Sequence, residues 1–140
     1  MIRRMRRRTF LLAAAASGLS VAWRSLGSWP LSPAQRSESE RLAALLRHEQ
    51  SARVVGREYL RAFPAEASPG ILTARVAEQL PGGLRALAGA SDGRLREQLL
   101  RATAEDFRDL RIVELRGWVL ARTEARLCAL AALHGGSSPA

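Results

Sequence analysis

Apolar residues that recur every third and fourth position, cut at intervals by Pro and Gly, restrict this chain to short amphipathic helices packed against one another. The clearest run is Leu42, Leu45, Leu46, Ala52, Val55, Tyr59, Leu60 and Phe63, a stripe with the helical period. Ser32-Pro33 opens it with a capping serine and a first-turn proline, and Pro64 closes it. One helix is therefore expected from about Pro33 to Phe63. Gly56 falls inside it, within a turn of Tyr59 and Leu60. An interior glycine costs a helix about 1 kcal/mol against alanine, which marks Gly56 as the place for a close helix crossing.

The same grammar repeats downstream. Ser68-Pro69 starts a shorter helix with Leu72, Val76 and Leu80 on one side, and Pro81-Gly82-Gly83 stops it. Leu84 to Ala90 makes a further turn, ended by Gly89. Asp92 is expected to cap a third strong helix whose apolar stripe is Leu95, Leu99, Leu100, Thr103 and Phe107. Arg94, Arg96, Glu97, Arg101, Glu105 and Asp106 occupy its solvated face. Ile112, Val113 and Leu115 then favour extended backbone and Gly117 permits a turn, so Arg111–Leu115 and Trp118–Leu120 are expected to pair as a minimal hairpin. A last helix starts near Thr123, which can cap where Ala121 cannot, and buries Leu127, Leu130, Ala131 and Leu133. The expected fold is mainly α: a small bundle of about four helices over residues 32–134, with a hairpin before the last helix. Residues 135–140 read as a disordered tail.

The N-terminus has a separate logic. Arg6-Arg7-Arg8-Thr9-Phe10-Leu11-Leu12 leads from a basic start into an alanine-rich apolar stretch. It resembles the twin-arginine (Tat) export signal, with Arg7 and Arg8 as the pair, Thr9 as the variable position and Phe10-Leu11 as the apolar doublet. The stretch from Phe10 to Ala22 is too short for a hydrocarbon core that takes roughly 20 apolar residues. It ends in Ser20-Val21-Ala22, a small-x-small peptidase site. The resemblance implies passage of folded cargo through the Tat translocase into the periplasm. Residues 1–22 would be the signal and 23–31, with Gly27, Ser28 and Pro30, a linker. The alternative is an uncleaved anchor running to Trp29, which Arg24 interrupts.

Charge has to be apportioned accordingly. The net charge of +9 suggests a nucleic-acid binder at first. Residues 1–29, however, hold six arginines and no acid, and the remaining 111 residues set 16 arginines against 13 acids. The excess lies mostly in the leader. After residue 29 the aromatics are only Tyr59, Phe63, Phe107 and Trp118, no stacking set for bases, so nucleic acid is not an expected partner.

Four groups of residues are candidates for chemistry. Glu105, Asp106 and Asp109 cluster carboxylates, for which surface pairs with Arg101 and Arg108 are the plainer reading and cation binding the sharper one. Arg122 and Arg126, four apart on one helix face with Glu124 between them, are the candidate anion contact, a solvated face being the plainer reading. Trp118, with Val119 and Leu120, is either a core plug or the candidate partner surface. His48 beside Glu49 could serve as a general base, but no nucleophile or oxyanion pattern accompanies it. Cys128, the lone cysteine, sits among Leu127, Ala129 and Leu130 and reads as a small buried hydrophobe, the sharper reading being a thiol for a partner or cofactor. His48 and His134 do not make a metal set, and no cofactor motif or catalytic residue is recognised.

The expectation is a non-enzymatic protein. Its leader, size and helical character resemble the small subunits of exported sugar and alcohol dehydrogenases that bear Tat signals and carry a larger catalytic partner with them. That resemblance implies an accessory or escort subunit of an exported oxidoreductase; no motif beyond residue 22 contributes to it. The alternative is a free-standing periplasmic ligand-binding or envelope-structural domain, with Arg122 and Arg126 facing an anion.

Overall fold

The computed structural model describes residues 32–135. The expected signal (1–22), the linker (23–31) and all of the tail except Gly135 lie outside the described residues. Within them the chain is mainly helical, with six helices rather than about four and one two-stranded ribbon.

Ser32 opens α1 (Pro33–Ala44) as the sequence implies. Its Oγ accepts from the Gln35 N–H at 3.2 Å, and the Gln35 side chain accepts from the Ser32 N–H at 3.1 Å, a reciprocal capping box. The expected single helix to Phe63 is instead two, because the chain breaks at Leu45–His48 before α2 (Glu49–Ala62). One continuous helix would put Glu49 on the stripe of Leu42, Leu45 and Ala52, seven residues from Leu42. The break leaves Glu49 exposed and paired with Arg53, while Leu42, Leu45, Ala52 and Tyr59 all reach the core. A burial pattern continuous in phase thus hid a bend, beyond which Glu49 lies at the surface and not on the buried stripe.

A short 3₁₀ turn, Pro64–Glu66, leads to α3 (Pro69–Ala77). It is followed by α4 (Gly83–Gly89), entered through Gly82 and Gly83 at φ 90° and 58°. Next comes α5 (Asp92–Arg108), whose cap is Ser91 rather than Asp92, since Ser91 Oγ accepts from the Arg94 N–H. Asp92 instead pairs with Arg41 at 2.7 Å. The same guanidinium donates to the carbonyls of Leu87 and Ala90 at 2.9 and 2.5 Å, tying α1 to the α4–α5 junction.

The buried face of α5 is Leu95, Leu99, Ala102 and Asp106. It is rotated from the expected stripe, so Leu100 and Phe107 are exposed. The ribbon β1 (Ile112–Leu115) and β2 (Trp118–Ala121) follows, and then α6 (Arg122–His134). Helix α6 packs against α1, α2, α3 and α5. Ala125 and Leu127 to Ala131 are all buried, as expected of a helix apolar on every side. Leu133 is only partly buried.

Gly56 is the contact point of α2 on α6. A Cβ there would lie 1.9 Å from the Cys128 carbonyl oxygen and 2.9 Å from the Ala129 nitrogen. Backbone cannot yield as a flexible side chain does, so the crossing requires glycine. Gly56→Ala should lower stability although alanine is the better helix former. The propensity gain of about 1 kcal/mol opposes an overpacking cost of about 3 kcal/mol or more. A melting temperature reduced by about 10 °C, measured by circular dichroism, is expected; an unchanged or raised value would show that the helices can part at no cost.

Candidate functional site

The candidate surface is built on the ribbon. Leu115 pairs with Trp118, Glu114 with Val119, Val113 with Leu120 and Ile112 with Ala121. The two-residue turn Arg116-Gly117 has φ of 51° and 83°, positive at both positions as a type I′ hairpin needs. Alternation then sorts the side chains. Val113, Leu115, Trp118 and Leu120 share the face toward the core, and Ile112, Glu114 and Val119 the other, while Ala121 is buried where the ribbon meets α6. Val113 and Leu115 are buried beneath the ribbon. Trp118 is the last residue on that face and overhangs it, 68 % exposed, so it does not plug the core. It lines a shallow groove of about 300 Å³ with Val54, Val55 and Leu115, bordered by Glu58 and Arg116. Arg116 reaches Glu58 at 3.4 Å. Val119 is also exposed, but on the opposite face with Ile112, while Leu120 is half-buried. The three residues expected to form one surface therefore present two.

The ribbon is anchored by Asp106, which the sequence assigns to a solvated face. It is buried. One oxygen accepts from Arg111 Nε at 2.7 Å and the other from the backbone N–H of Thr123 at 2.7 Å. Arg111 also pairs with Asp109 at 2.5 Å. The first residue of α6 follows Ala121, so Thr123 is not the cap; its own N–H, in the first turn of α6, is met by a carboxylate from α5. That position suits negative charge twice over, since the helix terminus is partly positive and its donors are otherwise unsatisfied. Burial disfavours the charged form of Asp106, yet the hydrogen bonds from Thr123 and Arg111 prevail and hold its carboxyl below the usual range. Asp106 and Asp109 thus pair with Arg111, not with Arg101 or Arg108, and Arg101 pairs with Glu97. Among the described residues no group of three His, Cys, Asp or Glu side chains converges as a metal site would require.

The two candidate anion-binding arginines diverge. Arg122 lies with its guanidinium carbon 5.3 Å from the centre of the Phe63 ring, a cation–π arrangement. Arg126 is buried and forks onto Glu66, with Nε to Oε2 and Nη2 to Oε1 both at 2.8 Å. Tyr59 donates its hydroxyl to the same Glu66 at 2.7 Å. The anion that Arg126 holds is the chain's own, and the network locks the 3₁₀ turn, α2 and α6 together.

The hydrogen bond from Arg126 pulls the Glu66 carboxyl down to about 2, against the opposing effect of burial and with help from Tyr59 and Arg122. Burial and the bond to Glu66 push the Tyr59 hydroxyl up to about 12, so it remains a donor at neutral pH. Burial, followed by the nearby Glu124 charge, pushes the Cys128 thiol up to about 12 as well. Such a thiol is not a ready nucleophile.

His48 is exposed at the start of α2 and makes no side-chain capping bond. The sequence reading misses a contact between the other histidine and a serine: His134 Nε2 lies 2.9 Å from Ser39 Oγ. Ser39 is fully buried and its hydroxyl donates to the Arg36 carbonyl at 2.8 Å. The pair pins α1 to the end of α6 without offering an accessible nucleophile.

No protein-family description, curated protein or solved structure matches the chain. No helix among the described residues is long and apolar enough to cross a membrane.

Because Glu66 titrates lower in the folded protein than in the unfolded chain, it contributes stability that is complete above about pH 4.5 and lost as pH falls through about 2. The displacement corresponds to about 3 kcal/mol. Glu66→Gln should melt lower at pH 7, and its stability should fall less steeply than the wild type's between about pH 4.5 and 2. Chemical denaturation across that range tests this, and parallel curves would assign the acid sensitivity elsewhere.

Proposed function

We propose that this protein is a non-catalytic accessory or escort subunit of an exported oxidoreductase, sent through the Tat translocase by the leader around Arg7, Arg8, Phe10 and Leu11. The observation that carries the reading is Trp118, held 68 % exposed on a ribbon whose base is fixed by Asp106. A large amphipathic ring left in solvent on a braced element has the character of an interface anchor. Val54, also exposed, lies beside it in the same groove and extends the apolar surface beyond a single residue. The competing ligand-binding reading loses its centre, since Arg126 is already neutralised by Glu66. Export of folded cargo suits a subunit whose binding surface exists only once the ribbon and α6 are joined.

The test is co-purification from the periplasm of the native cell, using the full chain with a C-terminal tag. A larger flavin- or metal-bearing subunit should accompany the wild type and be lost with Trp118→Ala at an unchanged melting temperature. A monodisperse wild-type monomer without such a partner would overturn the proposal. Replacing Arg7 and Arg8 by lysine should leave the protein in the cytosol, as immunoblotting of cell fractions would show; undiminished export would remove the Tat part of the reading.

A further inference from the structure

A second apolar surface shares no residue with the Trp118 groove. Leu45 and Leu46 from the α1–α2 break, Leu99 and Leu100 from α5, and Leu127 from α6 line an open groove of about 490 Å³. Leu100 stands 72 % exposed on its wall. Like Phe107, it is displaced from the core by the rotation of α5, and it projects from the helix where a polar side chain would cost nothing. The groove is rimmed by Arg47 and Arg96, with Glu124 the one acid beside them. None of the three makes an ion pair among the described residues, whereas half of the arginines there do.

We infer that this groove is a docking site for an amphipathic helix of another polypeptide, one whose leucine-like stripe is flanked by carboxylates. The inference rests on reading the chain as a partner-binding subunit and names the chemistry of what it binds. The helical form follows from the walls. Most of the lining comes from α5 and α6, whose backbone groups are spent on their own hydrogen bonds, so an extended strand would find few main-chain partners there. A helix brings its backbone already satisfied and needs only side-chain contact. The exposure of Leu100 also suits a helix better than a small molecule, whose site would enclose most of it.

The acidic character follows from the rim, where two unpaired arginines outweigh one glutamate. The chain's own residues 1–31 carry six arginines and no acid, so they repel that rim. A second copy would bring two more arginines for one glutamate.

The experiment is fluorescence anisotropy on the full-length protein with two labelled synthetic helices. Both have leucine at i, i+3, i+4 and i+7; one carries glutamates beside the stripe and the other lysines. The glutamate peptide should bind at least about tenfold more tightly, a difference of the size that rim charges produce. Arg47→Glu with Arg96→Glu should invert the preference. Leu100→Asp should abolish binding while melting temperature and Trp118-dependent co-purification stay as in the wild type. That separates failure of this site from failure of the subunit reading. Equal affinity for both peptides, or binding indifferent to Leu100→Asp, would overturn the inference. So would a dimer in sedimentation that Leu100→Asp dissolves, or saturation by dodecanoate without peptide binding.

Discussion

The hydrogen bond from the backbone of Thr123 to Asp106 is the constraint on which the rest of the domain turns. Helix α6 is buried on all sides, so its first N–H groups cannot fall back on water. With Ala121 at the cap position the chain offers no local side chain to meet them. A buried helix end without a partner costs roughly what a lost hydrogen bond costs at each orphan group. Asp106 supplies the acceptor from 17 residues upstream. In doing so it fixes the angle between α5 and α6, and its second oxygen holds Arg111 at the foot of β1. Arg111 in turn accepts the Arg122 N–H on its carbonyl at 2.9 Å, which closes the base of the ribbon. The ribbon's direction, and hence the placement of Trp118, is a consequence of how α6 is capped.

Two carboxylates, Asp106 buried and Glu66 half-buried, thus do different work with similar chemistry. Asp106 satisfies a helix terminus and shares one arginine with Asp109. Glu66 neutralises an arginine that α6 would otherwise bury alone. In both cases the cation is arginine, whose charge does not titrate in the accessible range and whose planar fork can hold two acceptors. Removing one member of such a pair is far costlier than the pair's net contribution, because an uncompensated charge stays behind. The domain therefore holds its turns by pairs that cannot be removed one residue at a time, around a core that is largely leucine and alanine.

Much of this was legible in the chain. Ser32-Pro33 and Ser68-Pro69 mark helix starts because cap and first-turn proline satisfy local geometry, and local geometry survives folding. Gly56 was readable as a crossing because nothing else accounts for glycine in that stripe. The hairpin was readable from Ile112, Val113 and Gly117. What could not be read were decisions made by distant partners. Periodicity alone carried the stripe through Glu49, because the penalty for burying that carboxylate belongs to the tertiary structure. The face of α5 was misplaced by assigning Asp106 to solvent; its burial depends on a helix that starts 16 residues later. Arg126 looked like a ligand contact because Glu66, 60 positions away, is invisible to spacing.

The backbone around the ribbon adds a last step. Leu110 has φ 56° and lies just past the end of α5, where Arg111 N–H returns to the Asp106 carbonyl at 2.8 Å. That is the position at which helices ordinarily use glycine. Arg116 has φ 51° at the first turn position, where asparagine or glycine is favoured. An L-residue in this region costs about 1 kcal/mol, and both side chains are exposed, Leu110 at 77 %. Glycine would relieve the strain at either place and, at Leu110, would also remove an apolar side chain from water. Folding therefore supplies no reason for Leu110, and for Arg116 only its ion pair with Glu58 at 3.4 Å. They bracket β1, and with Trp118 and Val119 they give the ribbon its exposed apolar and cationic side chains. Strain retained where it serves no packing is the pattern expected of a surface selected for contact with something else. A second chain laid against the exposed edge of the ribbon would cover apolar surface there and return in buried area what the backbone gives up.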